Sequence, residues 1–320
     1  MNDSTVSREA GAIPLWASVG AKFARRMPAG KYRFMNWLCH GRTDKFIGKM
    51  PNELGGYRFE CDVRDNIARE VFFTGYYEPQ ESAFVRARLR RGMSFVDAGS
   101  NWGYFTLLAA HLVGPEGAVV ALEPDPRVFR KLRSNIESNR LDHVKAFEIA
   151  AADCEEQLVL AAHNESEQNC GTSRLVSREA DARIPFSVQS RRLDSLLDEA
   201  GLDAIDLLKI DVEGAEEMVL NGMEPGLTGY RYRCILLELH PLQLAERGRT
   251  VRDVLDLLIS KGYKGCALDY SPAAFRKACY DHSIPFSNFI RPLEHAERDA
   301  WAHTIWLAPD ELSIPVVASR

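Results

Sequence analysis

From residue 94 onward, apolar runs short enough for strands alternate with amphipathic stretches long enough for helices. Nothing else in the chain constrains its fold as much. The strand-like runs are 94–98, 118–122, 144–150, 205–210, 234–239, 265–268 and 304–307. Between them, helical periodicity covers 104–113, 126 to about 140, 193–200, 215–221 and 250–261, with Asp125 as N-cap and Pro126 in the first helical position of the second. Several of the runs are apolar throughout, the pattern of strands buried on both faces. The expectation is an α/β fold, a doubly wound and mostly parallel sheet with helices on both sides, whose ligands sit beyond the carboxyl ends of the strands. A polar excursion at about 153–190 contains two further strands, 157–161 and 186–190.

Upstream the pattern is weaker. Residues 57–63 alternate like a half-buried strand, 70–77 continue it into a hairpin, and a helix over 81–91 leads into the main domain. Residues 15–40 interleave aromatic and basic side chains, which suits either a helical lid or a helix lying on anionic lipid or a partner. Charge supports a division near this point. Residues 1–60 hold ten Lys and Arg against five Asp and Glu, whereas the other 260 hold thirty against forty. We therefore expect a basic N-terminal extension over 1–74, a catalytic domain over 75–310 and a tail over 311–320. The net charge of -5 argues against general nucleic-acid binding. Seven scattered cysteines, without a C-x-x-C pair, read as reduced thiols of a cytoplasmic protein. The first twenty residues lack the basic end and apolar core of a secretory signal.

Four strand ends carry chemistry. Phe95-Val96-Asp97-Ala98-Gly99-Ser100-Asn101-Trp102-Gly103-Tyr104-Phe105 runs from a strand through a glycine turn into a helix. Of the dinucleotide fingerprint G-x-G-x-x-G only Gly99 is present, with Asn101 and Tyr104 in the other glycine positions. Asp97 just before the turn disfavours a dianionic group and suits a ligand with a cationic end. Glu123 closes the second strand 24 residues past Gly99, about where a carboxylate meets a ribose in this topology. In the third, Lys209 and Asp211 share a face, and a lysine in so apolar a strand requires a partner such as Asp211 or Glu238. The fourth ends in Glu238-Leu239-His240-Pro241. A nicotinamide oxidoreductase is disfavoured by the missing glycines, and a non-catalytic adapter of the same fold stays open.

Gly-Tyr-Tyr-Glu-Pro (75–79), the 95–105 segment, Ala-Leu-Glu-Pro (121–124), Leu-Lys-Ile-Asp-Val-Glu-Gly-Ala-Glu (208–216) and Leu-Glu-Leu-His-Pro (237–241) resemble the FkbM family of S-adenosylmethionine-dependent methyltransferases in content, order and spacing. Ala150–Asp153 and Arg192–Leu196 fall in their expected places. The resemblance covers about 75–308 and leaves 1–60 outside; Trp102 departs from the small or aliphatic residue usual at its position. It implies a class I methyltransferase fold of seven strands and S-adenosylmethionine as cofactor. The implied cofactor residues are Glu78, Asp97, Gly99, Ser100, Asn101, Gly103, Glu123, Pro124, Ala151, Asp153 and Asp211. Asp97 would lie near the methionine end, Glu123 at the ribose hydroxyls, the Ala151–Asp153 turn beside adenine and Asp211 near the transferred methyl. The implied acceptor is a hydroxyl on a small molecule, sugar or polysaccharide unit, with N-methylation as the alternative. An attacking alcohol must shed a proton, so a general base is needed; His240 suits by type and position, with Asp211 or Glu238 orienting it or acting instead. Asp211, Glu238 and His240 also have the chemistry to gather a hard cation, but their spacing does not demand one and no metal is expected. Glu213 is expected to cap its helix.

Overall fold

A computed structural model describes residues 11–162, 173–176, 184–293 and 302–311. Expectations about the N-terminal ten residues, the 312–320 tail and Cys170 lie outside these. By contacts the chain divides between Tyr77 and Glu78 into two units.

In the first unit, helices α1 (Leu15–Ala24) and α2 (Lys31–Cys39) precede an antiparallel pair, β1 (Lys45–Lys49) and β2 (Arg58–Asp62), and then α3 (Asn66–Thr74). Residues 70–77 thus do not continue the strand into a hairpin. Asp65 accepts a hydrogen bond from the Ala68 N–H and starts a helix, and Ala68, Val71 and Phe72 then fall at helical spacing on its buried side. The partner of β2 comes instead from upstream, with Phe46 opposite Cys61 and both fully buried.

The second unit opens with α4 (Pro79–Arg88), β3 (Ser94–Ala98), α5 (Tyr104–Val113), β4 (Ala118–Leu122), α6 (Pro126–Ser138) and β5 (Val144–Phe147). Next come β6 (Ala150–Ala151), β7 (Gln157–Ala162), β8 (Arg174–Val176), β9 (Ile184–Arg191), α7 (Leu193–Ala200), β10 (Leu207–Ile210), α8 (Glu216–Gly222) and α9 (Glu224–Thr228). The remainder is β11 (Cys234–Leu239), α10 (Pro241–Glu246), α11 (Val251–Ser260), β12 (Lys264–Leu268), α12 (Pro272–Tyr280), β13 (Ile290–Pro292) and β14 (Ala302–Leu307).

The main sheet has the order β13-β12-β14-β11-β10-β3-β4-β5, parallel from β11 to β5, with β14 antiparallel between β11 and β12. This is the expected class I methyltransferase α/β fold. The expected seven strands are joined by an eighth, the three-residue β13, at one edge. The expected strand over 144–150 is cut in two: β5 stays in the main sheet, while β6 pairs with β9 in a separate four-stranded sheet that also contains β7 and β8. Alternation β3–α5–β4–α6–β5 places the turns after β3, β4 and β10 on one edge, as parallel strands with crossover helices require.

Close packing joins these turns. A Cβ on Gly99 would lie 1.7 Å from the Asp211 carbonyl oxygen, and its φ of +85° is one that other residues adopt only under strain. Gly99→Ala should therefore destabilise the fold by about 2–4 kcal/mol in denaturant unfolding; a loss below 1 kcal/mol would show that the β3 and β10 turns are not locked together.

Candidate active site

The glycine turn is tied to the end of β4 before any ligand is considered. Gly99 N–H and Ser100 N–H both donate to the Leu122 carbonyl at 3.0 Å, and Ser100 Oγ does so at 3.1 Å. Glu123 is 7% exposed, and its two carboxylate oxygens accept the backbone N–H groups of Asn101 and Asp125, each at 2.9 Å. Burial nevertheless pushes its pKa up to about 8, with the Asp125 charge adding to the rise. Asp125 itself caps α6 and pairs with Arg127 at 2.7 Å, so its part is structural. Trp102 is buried, and its carbonyl accepts from Asn135 Nδ2 at 2.9 Å.

Parallel register sets Lys209 beside Asp97. Asp97 is 1% exposed and accepts a hydrogen bond from Thr106 Oγ1 at 2.6 Å; burial raises its pKa to about 6. The expected partner of Lys209 is found: Nζ lies 2.7 Å from Asp211 Oδ2, and 4.8 Å from the Phe105 ring centre. Burial alone would lower the lysine pKa, but the charges of Asp211, Glu78, Glu238 and Asp97 carry it well above its ordinary value. Glu78 precedes α4 with a left-handed backbone (φ 41°), and its buried Oε2 has no hydrogen-bond partner among the described residues. Burial raises its pKa well above the carboxylate range.

His240 follows β11 and is 6% exposed. Its Nδ1 lies 2.6 Å from Glu216 Oε1, and its Nε2 is 3.4 Å from Glu238, 3.7 Å from Glu213 and 3.9 Å from Asp211. Burial opposes a charge here, yet hydrogen bonds from the ring to Glu216 and Glu238 push the pKa up to about 11. The direction of that shift favours the imidazolium over the neutral ring that a general base would need. Glu213 differs from its neighbours: burial raises it to about 7 against the pull of His240. It does not cap α8. Its Oε2 accepts from Gln243 Nε2 at 3.1 Å, while Glu216 reaches back to the Gly214 N–H.

The structure thus brings Glu78, Asp97, Asp211 and Glu238 around one lysine, with His240 against Asp211 and Glu238, and Glu123 against the glycine turn. Pro124 lies between Glu123 and the Asp125 cap. Ala151 and Asp153 flank the end of β6; the Asp153 carbonyl accepts from Arg192 Nε at 2.8 Å. Two triplets, Asp211–Glu213–His240 and Glu78–Asp211–Glu238, have donor atoms close enough to hold a cation. Asp211, common to both, already has the Lys209 ammonium as counter-charge.

Sequence reasoning missed a second buried relay. Glu81 and His303, 0% and 2% exposed, pair at 2.8 Å; Tyr270 donates to the same Glu81 oxygen, and His303 Nε2 lies 3.7 Å from Glu238. Burial would lower the His303 pKa, but Glu81 and Glu238 raise it to about 9. The one available signal was the apolar run at 304–307, which begins one residue after His303.

A family model described as the methyltransferase FkbM domain matches residues 94–264. The chain is 34% identical over 157 residues to the 2-O-methyltransferase NoeI of Sinorhizobium fredii, an alignment covering 46% of this chain and 63% of NoeI. It is 29% identical over 241 residues to the 31-O-demethyl-FK506 methyltransferase FkbM of Streptomyces tacrolimicus, covering 67% of this chain and 87% of that one. Among solved structures, a methyltransferase FkbM from Methylobacillus flagellatus superposes with a TM-score of 0.42 at 12% identity, over 91% of this chain and 58% of its own. The chain therefore spans less than two thirds of the length of NoeI.

Proposed function

Because the chain belongs to the FkbM methyltransferase family, we propose that it moves a methyl group from S-adenosylmethionine to a hydroxyl oxygen of a sugar, polysaccharide unit or secondary metabolite. The observation that carries this reading is the Glu123 carboxylate, held at the end of β4 beside the glycine turn. Each of its oxygens receives one N–H and keeps a second lone pair, which leaves acceptors for the two hydroxyls of a ribose. The orphaned, buried Glu78 Oε2 supports the same cofactor. Carboxylates outnumber cations around Lys209, an environment for a ligand with a sulfonium and an ammonium. The names of NoeI and of the Streptomyces relative describe methylation at oxygen, which favours a hydroxyl acceptor over an amine.

When bound, S-adenosylmethionine would supply an electrophilic methyl carbon on sulfur. The chain's own part is positioning and proton handling. Gly99, Ser100, Asn101, Gly103 and Pro124 shape the floor, Glu123 takes the ribose, the Ala151–Asp153 turn borders the base, and Glu78 with Asp97 holds the ammonium. Asp211, anchored by Lys209, fixes the reacting end. His240, clamped by Glu216 and charged, holds Glu213 and Glu238 in place, and the proton of the attacking hydroxyl passes to Glu213. A carboxyl with a pKa of about 7 is matched to that task at neutral pH.

Glu213→Gln should lower kcat by about 10²–10⁴-fold with little change in KM, and should remove an acid limb near pH 7 from the rate profile. The reading as a whole is tested by incubation with isotopically labelled S-adenosylmethionine and a panel of hydroxyl acceptors, mass spectrometry locating the added methyl. Saturable NAD binding without S-adenosylmethionine binding, or a methyl found on nitrogen, would overturn it.

A further inference from the structure

Helix α1 has two apolar faces. One is made of small residues, Ala17, Gly20, Ala21 and Ala24, all buried; a Cβ on Gly20 would stand 2.3 Å from Leu38 Cδ2. The other carries Leu15, Val19 and Phe23 at i, i+4 and i+8, and these are 81%, 57% and 56% exposed. The Phe23 ring meets Phe34 of α2 at 5.1 Å, and Phe34 lies 6.0 Å from Trp37, itself 71% exposed. The outward residues therefore form a continuous ridge across two helices. Scattered exposed apolar side chains need no explanation, but a ridge of this kind marks a contact surface.

Charge identifies what meets it. No Asp or Glu occurs from Ala10 to Thr43, a segment with six Lys and Arg. Lys22 is exposed on α1, Arg26 in the turn just past its C-terminus, and Arg33 on α2. A second copy of the chain would set these cations against their own kind. Helices of ten and nine residues are too short to span a bilayer, and among the described residues no helix is long and apolar enough to do so. We infer that the α1–α2 ridge docks on an anionic lipid surface, with Phe23 and Trp37 seated among the headgroups and Lys22, Arg26 and Arg33 pairing with lipid phosphate. This stands apart from the methyl-transfer reading.

Flotation of the full-length protein with vesicles decides the matter. Binding to vesicles of mixed phosphatidylcholine and phosphatidylglycerol should exceed binding to phosphatidylcholine alone by at least about tenfold and weaken with salt. A Val19→Ser/Phe23→Ser/Trp37→Ser variant should lose roughly tenfold or more in vesicle affinity while keeping a cooperative thermal transition, since more than half of each altered side chain faces solvent. Lys22→Glu/Arg26→Glu should lose the preference for anionic lipid. Tryptophan emission should shift to the blue on vesicle binding, and less so in Trp37→Phe. Failure of the wild type to float, equal binding to both vesicle types, variants that float like wild type, or self-association that the triple variant abolishes would each overturn the inference.

Discussion

Glu123→Gln is expected to weaken S-adenosylmethionine binding about a hundredfold or more, measured by isothermal titration. The loss has two physical sources. A carboxylate accepts at both oxygens, whereas the amide turns one of them into an NH2 that faces a backbone N–H of Asn101 or Asp125, and one ribose acceptor disappears. The pH dependence separates this role from a purely structural one. Burial holds the free carboxyl at about pKa 8, so a ligand that needs it ionised must release a proton at lower pH. Wild-type affinity should therefore rise with pH until about 8 and then level, while Glu123→Gln should lack that rise. An equal pH dependence in both proteins would remove Glu123 from the cofactor site.

Glu238→Gln should cost about 3–5 kcal/mol in chemical denaturation, because it strips the shared anion from Lys209, His240 and His303 inside the sheet. The sign of the accompanying pH effect follows from the directions of the shifts. His303 and His240 are raised to about 9 and about 11, so their stabilisation is complete below the ordinary histidine value and fades as pH rises through those values. The raised carboxyls act in the same direction, since Asp97, Glu213 and Glu123 must ionise against their burial at about pH 6, 7 and 8. Glu238, held below the usual range by the two histidines and Lys209, contributes above its ordinary value and loses its contribution in acid. Without ligand, the wild type should then lose a few kcal/mol of stability between pH 6 and 9. In Glu238→Gln the histidines have less to lose and the alkaline decline should flatten. A decline of equal steepness in both proteins would dismiss the charge relay as a source of stability.

Local pattern made much of this legible in the sequence. Period-2 alternation put Lys209 and Asp211 on one face, and the structure joins them at 2.7 Å. The turn at Gly99 and Gly103 follows from residues that must tolerate positive φ, and the acid before a helix, as at Asp125, announced its cap. Where two local readings competed, the tertiary setting chose. Residues 70–74 include two aromatics and a β-branched valine, which favour a strand by propensity, yet Asp65 and a buried side made them a helix.

By itself, then, the sequence determined the α/β alternation, the glycine turn and the carboxylates at the strand ends, because each depends on residues a few positions apart. The tertiary structure alone decided what those carboxylates meet. Antiparallel β14, inserted between β11 and β12, sets His303 opposite Glu238 across 65 residues of chain, and α4 delivers Glu78 and Glu81 from the other side of the sequence. The protonation state of His240 belongs to the same class. Four carboxylates within 4 Å keep its proton, three of them from the turn and helix after β10 and one from its own strand. A pKa is a sum over neighbours in space, and no spacing along the chain encodes that sum.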